Sequence, residues 1–304
     1  IMIEVLRAGL CDLVMDQGRP GWGSLGVPVG GAADPSALAA ANCLVGNDDT
    51  AAGLEITLYG PALRFPEGGV VALTGARFAA ARSSGARVAW NETLVLMAGE
   101  ILTLEQGQDG CRCWLALRGG LALAPVMGSR STFLPAGFGG QAGRPLQAGD
   151  ALPCGVAAGE ARLLRAHLPS HEATACLRVL AGPQARYFDD AGLTAFFGAR
   201  FRVGPVWDRR GLRLAGPTVT HARVELPSQG VLPGAVQVPP DGQPIILGWD
   251  GPVTGGYPVI AGVIAADWPL LAQLGPGDSV GFTTVEADEA RALAADRWKI
   301  EDLG

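Results

Sequence analysis

The chain has 304 residues, 48% of them hydrophobic and 17% charged, with a formal charge of −6 and 23 basic residues that are scattered rather than clustered. This composition supports a core for two ordinary domains and excludes a solvating, disordered segment. Acidity without a basic run argues against a nucleic-acid partner and against an electrostatic membrane anchor. Apolar runs such as GGVVALTGARF stop well short of the roughly 20 residues of a spanning helix. No basic-then-apolar leader opens the chain, so a cytoplasmic location is expected.

Forty-five glycines and 22 prolines punctuate short apolar runs, the pattern of a mostly β chain. Asp16 and Arg19 flank Gly18 at the start of a loop, Gly18 to Gly31, that holds six glycines. A helix is expected next, with Asp34 as its cap, Pro35 in its first turn, SALAAANCLV as its body and Gly46 as its stop. The apolar strand GLEITLYG carries Glu55, and further strands are expected at VVALTG, RVAWN, ILTLEQ and CRCWLALRG. Alternation in CRCWLAL places Cys111 and Cys113 on one face, and the six cysteines include no pair of metal-binding Cys-x-x-Cys units.

The stretch GVAAGEARLLRAHLPSHEATA reads as a change-over, which divides the chain into domains at 1–170 and 171–304. The second half offers strands at LRVLAG, GLRLAG, AVQVP, PIILGWD and SVGFTTV, a short helix at TAFFGARF and a C-terminal helix at DEARALAADRWKIE. Each half also carries a Gly-Asp turn before a strand, QAGD ending at Asp150 and GPGD ending at Asp278. Barrels or sandwiches with helical decoration follow.

Several polar groups suit catalysis or anion binding. A guanidinium fork at Arg19 fits a carboxylate or phosphate, with Asp16 to orient it or take a proton; a structural ion pair that locks the loop is the other reading. The loop glycines offer backbone N–H donors, and the Asp34-capped helix start favours an anion, although no P-loop ending and no GxGxxG step is present. In the second half Asp250 is an acid/base candidate, Thr254, Gly255 and Gly256 suit an oxyanion, and Tyr257 suits a planar amide; a braced hairpin is the alternative. Glu55 must be paired if it points inward. Ser129 and Arg130, in the block Gly128 to Thr132, serve either an anion or a turn. His167 and His171 are separated by Pro169, which disfavours a helical metal site, and no metal is expected.

The segment from Met15 to Phe65 resembles the signature of the allophanate hydrolase subunit 2 family, a biotin-dependent carboxyltransferase family. It carries the Asp-x-Gly-Arg turn at Asp16, Gly18 and Arg19, the capping Asp34, and the Asn-x-x-x-Gly-Asn step at Asn42, Gly46 and Asn47. Arg118 to Asp150 is similar to the family's central Gly-Ser-Arg-Ser-Thr block, and the run from Gly234 to Ile264 to its C-terminal block. Where relatives carry Asp-Arg-Gln-Thr-Thr-Gly-Gly-Tyr-Pro-Lys, this chain has Asp250-Gly251-Pro252-Val253-Thr254-Gly255-Gly256-Tyr257-Pro258-Val259, without the Arg, Gln and Lys.

The resemblance implies two cyclophilin-like β-barrel domains with a few short helices. It further implies an ATP-dependent 5-oxoprolinase-like component that opens a cyclic amide. Its companions would be an allophanate hydrolase subunit 1-like protein, similar to the B component of 5-oxoprolinase, and a lactam-hydrolase subunit. ATP is then bound with the partner. Two alternatives come with the family: carboxyl transfer from biotin on a separate carrier to urea or a related amide, and a non-catalytic role against a kinase inhibitor. The residues implied for the site are Asp16, Arg19, Asp250 and Glu55 for catalysis, with Gly18, Asp34, Asn42, Ser129, Arg130, Thr254, Gly255, Gly256 and Tyr257 around the substrate.

Overall fold

The computed structural model describes residues 2–157, 159–168, 174–222, 226–295 and 298–304. Its contacts form two compact units, one of Ile1–Arg19, Gly30–His171 and Trp298–Gly304, the other of Pro20–Val29 and Glu172–Arg297. His171 and the Pro169 beside the expected change-over lie outside the described residues.

The first unit is built on two five-stranded antiparallel sheets. One runs in the order Ala151–Pro153, Met2–Arg7, Ala62–Phe65, Glu100–Gly107, Phe78–Arg82; the other runs Cys11–Met15, Gly53–Thr57, Arg112–Leu117, Gly69–Gly75, Thr93–Leu96. The strand Glu100–Gly107 alternates buried and half-buried positions, which turns Leu102 and Leu104 inward. They meet Ile3, Leu63 and Phe65 of their own sheet and Val14, Leu54, Ile56, Leu73 and Leu115 of the other in a single core. Burial of that many aliphatic side chains is the main stabilising contribution of the unit.

Helix α1 (Pro35–Leu44) forms as its sequence dictates. The Asp34 carboxylate accepts from the N–H groups of Ser36 and Ala37, Pro35 occupies the first turn, and Gly46 follows Val45 at φ +72° to end the helix. Its small residues let it lie close on the second sheet, where Ala40, Ala41 and Leu44 pack with Ala72 and Ala116. That cover explains why Arg112–Leu117 is buried at every position rather than at alternate ones.

In the second unit seven strands close into a barrel, in the order Thr174–Ala181, Val259–Val263, Ala235–Gln237, Ile245–Leu247, Gly211–Ala215, Phe201–Asp208, Ser279–Thr284. The parallel pairing of Thr174–Ala181 with Ser279–Thr284 makes the closure, which leaves no open sheet edge. Phe196 of α2 (Asp190–Gly198) stacks on Phe282 with ring centroids 4.3 Å apart over Phe201. Two further short helices, α3 (Trp268–Gln273) and α4 (Ala287–Ala295), complete the unit. The chain is thus mostly β with few short helices, consistent with a cyclophilin-like fold.

Three local expectations change. RVAWN is not a strand: Asn91 adopts φ +59°, which interrupts extended pairing. The TAFFGARF helix starts earlier, at Asp190 behind the Asp189 cap, and has ended before Phe201 begins a strand. The C-terminal helix stops at Ala295, and Lys299–Asp302 pairs instead with Leu164–His167 in a two-stranded sheet of the first unit.

Candidate functional site

Asp16 directly follows the strand Cys11–Met15 and is buried, 7% exposed. Its Oδ1 accepts from the Gly18 N–H at 2.8 Å, the Ser129 hydroxyl at 2.5 Å and the Ser131 hydroxyl at 2.6 Å, and its Oδ2 accepts from the Arg130 N–H at 2.5 Å. The Asp16 N–H donates in turn to Ser131 Oγ at 2.8 Å. Both carboxylate oxygens are therefore occupied, and the residue ties the Asp-x-Gly-Arg turn to the Gly-Ser-Arg-Ser block more than 110 positions later.

Arg19 is also buried, 1% exposed. Its guanidinium donates to the Ser131 carbonyl and to the Val126 carbonyl and lies over the Phe138 ring at 5.0 Å. Ser131 thus serves both charged groups, hydroxyl to Asp16 and carbonyl to Arg19. Sequence reading names Ser131 in the block without singling it out.

Two backbone features hold this arrangement. Val126 and Ser129 exchange backbone hydrogen bonds, and the residues between them, Met127 and Gly128, both have positive φ, +52° and +85°, the pattern of a type I′ turn. The following loop passes so close that a Cβ on Gly139 would sit 2.1 Å from the Ser131 carbonyl oxygen and one on Gly140 would sit 1.9 Å from Thr132 Oγ1. The glycine run is therefore a packing requirement around the turn.

Arg130 is the exception within the cluster. Its side chain is half-buried, its Nε donates to the Leu123 carbonyl at 2.7 Å, and no carboxylate of the described residues pairs with its guanidinium.

Other predicted residues divide between structure and surface. Glu55 is fully buried and accepts from the Ala33 N–H at 2.7 Å and from Trp114 Nε1 at 3.2 Å, with Arg112 Nε 3.7 Å away. Asp34 is spent on its helix cap. Asn42 donates to the Ala51 carbonyl at 2.8 Å and accepts from Asn47, whose side chain also reaches the Leu117 carbonyl and the Gly119 N–H. The Asn-x-x-x-Gly-Asn step thus ties the end of α1 to the strand Arg112–Leu117.

In the second unit Asp250 is buried and takes a two-pronged contact from Arg209, Nε to Oδ2 at 2.8 Å and Nη2 to Oδ1 at 3.1 Å. Thr254 and Gly255 form a short strand against Gln229 and Gly230. A Cβ on Gly255 would meet Gln237 Nε2 at 2.5 Å, and Gly256 approaches the Leu226 carbonyl. Tyr257 is 45% exposed. Sequence reading missed Arg209, since nothing in the spacing of 41 residues announces its contact with Asp250.

This mostly β chain belongs to a known class: residues 25–284 match the family described as carboxyltransferase domain, subdomain A and B, and the chain is a member of that family. Within it, the chain is 40% identical over 303 residues to the C component of 5-oxoprolinase from Escherichia coli (strain K12), a match that covers 98% of this chain and 96% of the relative. It is also 30% identical to urea amidolyase of Saccharomyces cerevisiae, covering 96% of this chain and 17% of that protein. Among solved structures, Kluyveromyces lactis urea carboxylase superposes with a TM-score of 0.88 at 31% identity, over 95% of this chain and 28% of that one.

Proposed function

We propose that the chain is the non-biotinylated component of an ATP-dependent, 5-oxoprolinase-like amidohydrolase in the cytoplasm. It works as a heteromer with a companion similar to the B component of 5-oxoprolinase and with a lactam-hydrolase subunit. The observation that carries this reading is the end-to-end likeness to the 5-oxoprolinase C component, which spans nearly the whole of both chains. The Asp16 turn supports it, because it presents an anion-suited guanidinium on a locked backbone.

In this reading Arg130 holds the carboxylate of a cyclic amide. Asp16, Ser129, Ser131 and Arg19 fix the turn that aims it, and Gly139 and Gly140 let the backbone close over that turn. ATP, held with the partner, would supply a phosphoryl group to the amide oxygen and leave as ADP. One water adds to the activated carbon, the carbon–nitrogen bond breaks with a proton from that water ending on the departing amine, and a second water releases phosphate from the resulting acyl phosphate. Because Asp16 is buried and both its oxygens already accept hydrogen bonds from the turn, we assign the proton transfer to a group outside the turn. Asp250 is held by Arg209 and serves the scaffold of its loop.

A second reading has its own support in the likeness to urea carboxylase over 95% of the chain. Here the same turn would hold an acceptor amide while carboxyl transfer proceeds from biotin on a separate carrier. Reconstitution separates the two. The chain combined with its companion subunits should form glutamate from 5-oxoproline only when ATP is present. Absence of glutamate, together with carboxylation of urea from a carboxybiotin carrier, would overturn the first reading in favour of the second.

A further inference from the structure

The strand Cys11–Met15 carries a carboxyl that the chemistry above does not use. Asp12 pairs with Ile56, and Ile56 with Cys113, so the three side chains turn to the same side of their sheet, into the core of the first unit. Asp12 is 1% exposed there. Its Oδ2 accepts from the Gly9 N–H at 2.5 Å, whereas its Oδ1 is buried with no hydrogen-bond partner among the described residues. A bare carboxylate oxygen in that position is costly, but the O–H of a carboxylic acid needs only an acceptor.

Gly9 shows where that acceptor lies. A Cβ there would collide with the Tyr59 carbonyl oxygen and would sit 2.6 Å from Asp12 Oδ1 and 2.8 Å from Oδ2, so the oxygens of both residues crowd one α-carbon. The Tyr59 carbonyl accepts from the Leu10 N–H at 2.8 Å and keeps a second lone pair. The polar neighbours are engaged elsewhere. Arg7 donates to the Leu104 carbonyl at 3.1 Å and to Glu105 at 3.2 Å and lies over the Tyr59 ring, while the Tyr59 hydroxyl is taken by Glu105. Burial keeps the Cys113 thiol neutral. Burial also outweighs the Gly9 N–H and the Arg7 charge at Asp12, whose pKa is pushed up to about 7.

We propose that Asp12 is a neutral acid whose Oδ1–H donates to the Tyr59 carbonyl, and that this one proton latches residues 8–10 to the chain just past the strand Gly53–Thr57. Its loss sets a carboxylate oxygen against a carbonyl oxygen, and residues 8–10 open to let water reach the charge. The closed turn holds the proton more tightly than the open one. Opening is therefore rarest in acid, grows as pH rises from 3.8 towards about 7, and then levels. The latch belongs to the fold and does not depend on which amide the chain acts on.

The test is amide hydrogen exchange of the full, isotope-labelled chain, read by NMR at Gly9 and Leu10 and corrected for the intrinsic rate at each pH. Protection of both amides should fall about tenfold per pH unit between about pH 5 and about pH 7. The Asp278 N–H, which donates to the Gly275 carbonyl in the second unit, should keep its protection across that range. Asp12→Asn offers a donor and an acceptor at every pH, so its Gly9 and Leu10 should stay as protected in neutral solution as the parent's are in acid. In the parent, the Asp12 carboxyl carbon resonance should titrate near pH 7. Protection of Gly9 and Leu10 that ignores pH, an asparagine variant that loses protection as the parent does, or a carboxyl resonance that titrates near the ordinary value of about 4 would overturn the proposal.

Discussion

Two buried carboxylates, Asp16 in the first unit and Asp250 in the second, are stabilised by different means. Asp250 meets one full positive charge, the Arg209 fork, and little of the pair touches water. Asp16 meets four donors from hydroxyls and backbone N–H groups. A charge pair neutralises its members and reads as scaffold, whereas neutral donors hold an anion while leaving a nearby guanidinium, Arg130, without a carboxylate among the described residues. A third carboxyl completes the series. Asp12 is buried with a single donor among the described residues, the Gly9 N–H, and desolvation pushes its pKa up from 3.8 to about 7.

The largest expected effect tests the Asp250 pair. Asp250→Ala leaves the Arg209 guanidinium without its carboxylate and should cost about 3–5 kcal/mol in chemical denaturation. The double change Asp250→Leu with Arg209→Met should recover most of that loss. If the single change is neutral, the pair is not the structural element described.

Asp12 should show itself through pH. A carboxyl whose folded pKa lies above its unfolded value binds more protons folded than unfolded between the two. Stability therefore falls as pH rises from 3.8 towards about 7 and then levels. Asp12→Asn should remove that slope and stabilise the protein at pH 8 by on the order of a few kcal/mol, with little effect below pH 4, in thermal melts across the range.

Asp16→Ala should cost about 2 kcal/mol, because its hydroxyl donors can turn elsewhere and only the Gly18 and Arg130 N–H groups are stranded. Its cost should change less with salt than that of Asp250→Ala, a contrast that melts in low and high salt would reveal. The smallest effect belongs to the type I′ turn. Met127→Asn should stabilise by up to about 1 kcal/mol, since asparagine tolerates the left-handed backbone better than methionine.

Much of this was legible in the chain. The Asp34–Pro35 start of α1 and its Gly46 stop are local chemistry, and local chemistry is readable. The QAGD and GPGD phrases adopt the same turn, in which the Asp150 and Asp278 carboxylates each accept from the N–H three residues earlier, at 2.8 Å. What stayed hidden is long-range. Arg209 lies 41 residues from Asp250, and the strand pairing that claims Lys299–Asp302 overrides a helical pattern continuing from Asp288. Sequence also places Asp16 and Arg19 side by side as a pair, whereas folding runs their contacts through Ser131. The resemblance brought the right segments together, but only side-chain geometry separates an occupied carboxylate from an available guanidinium.

The most direct measurement is steady-state kinetics of Arg130 variants in the reconstituted complex with 5-oxoproline and ATP. Arg130→Ala should lower kcat/KM about 100-fold with an unchanged fold by circular dichroism, and Arg130→Lys should restore part of it. An Arg130→Ala complex that forms glutamate with the parent kcat/KM would contradict the assignment of this turn as the substrate site.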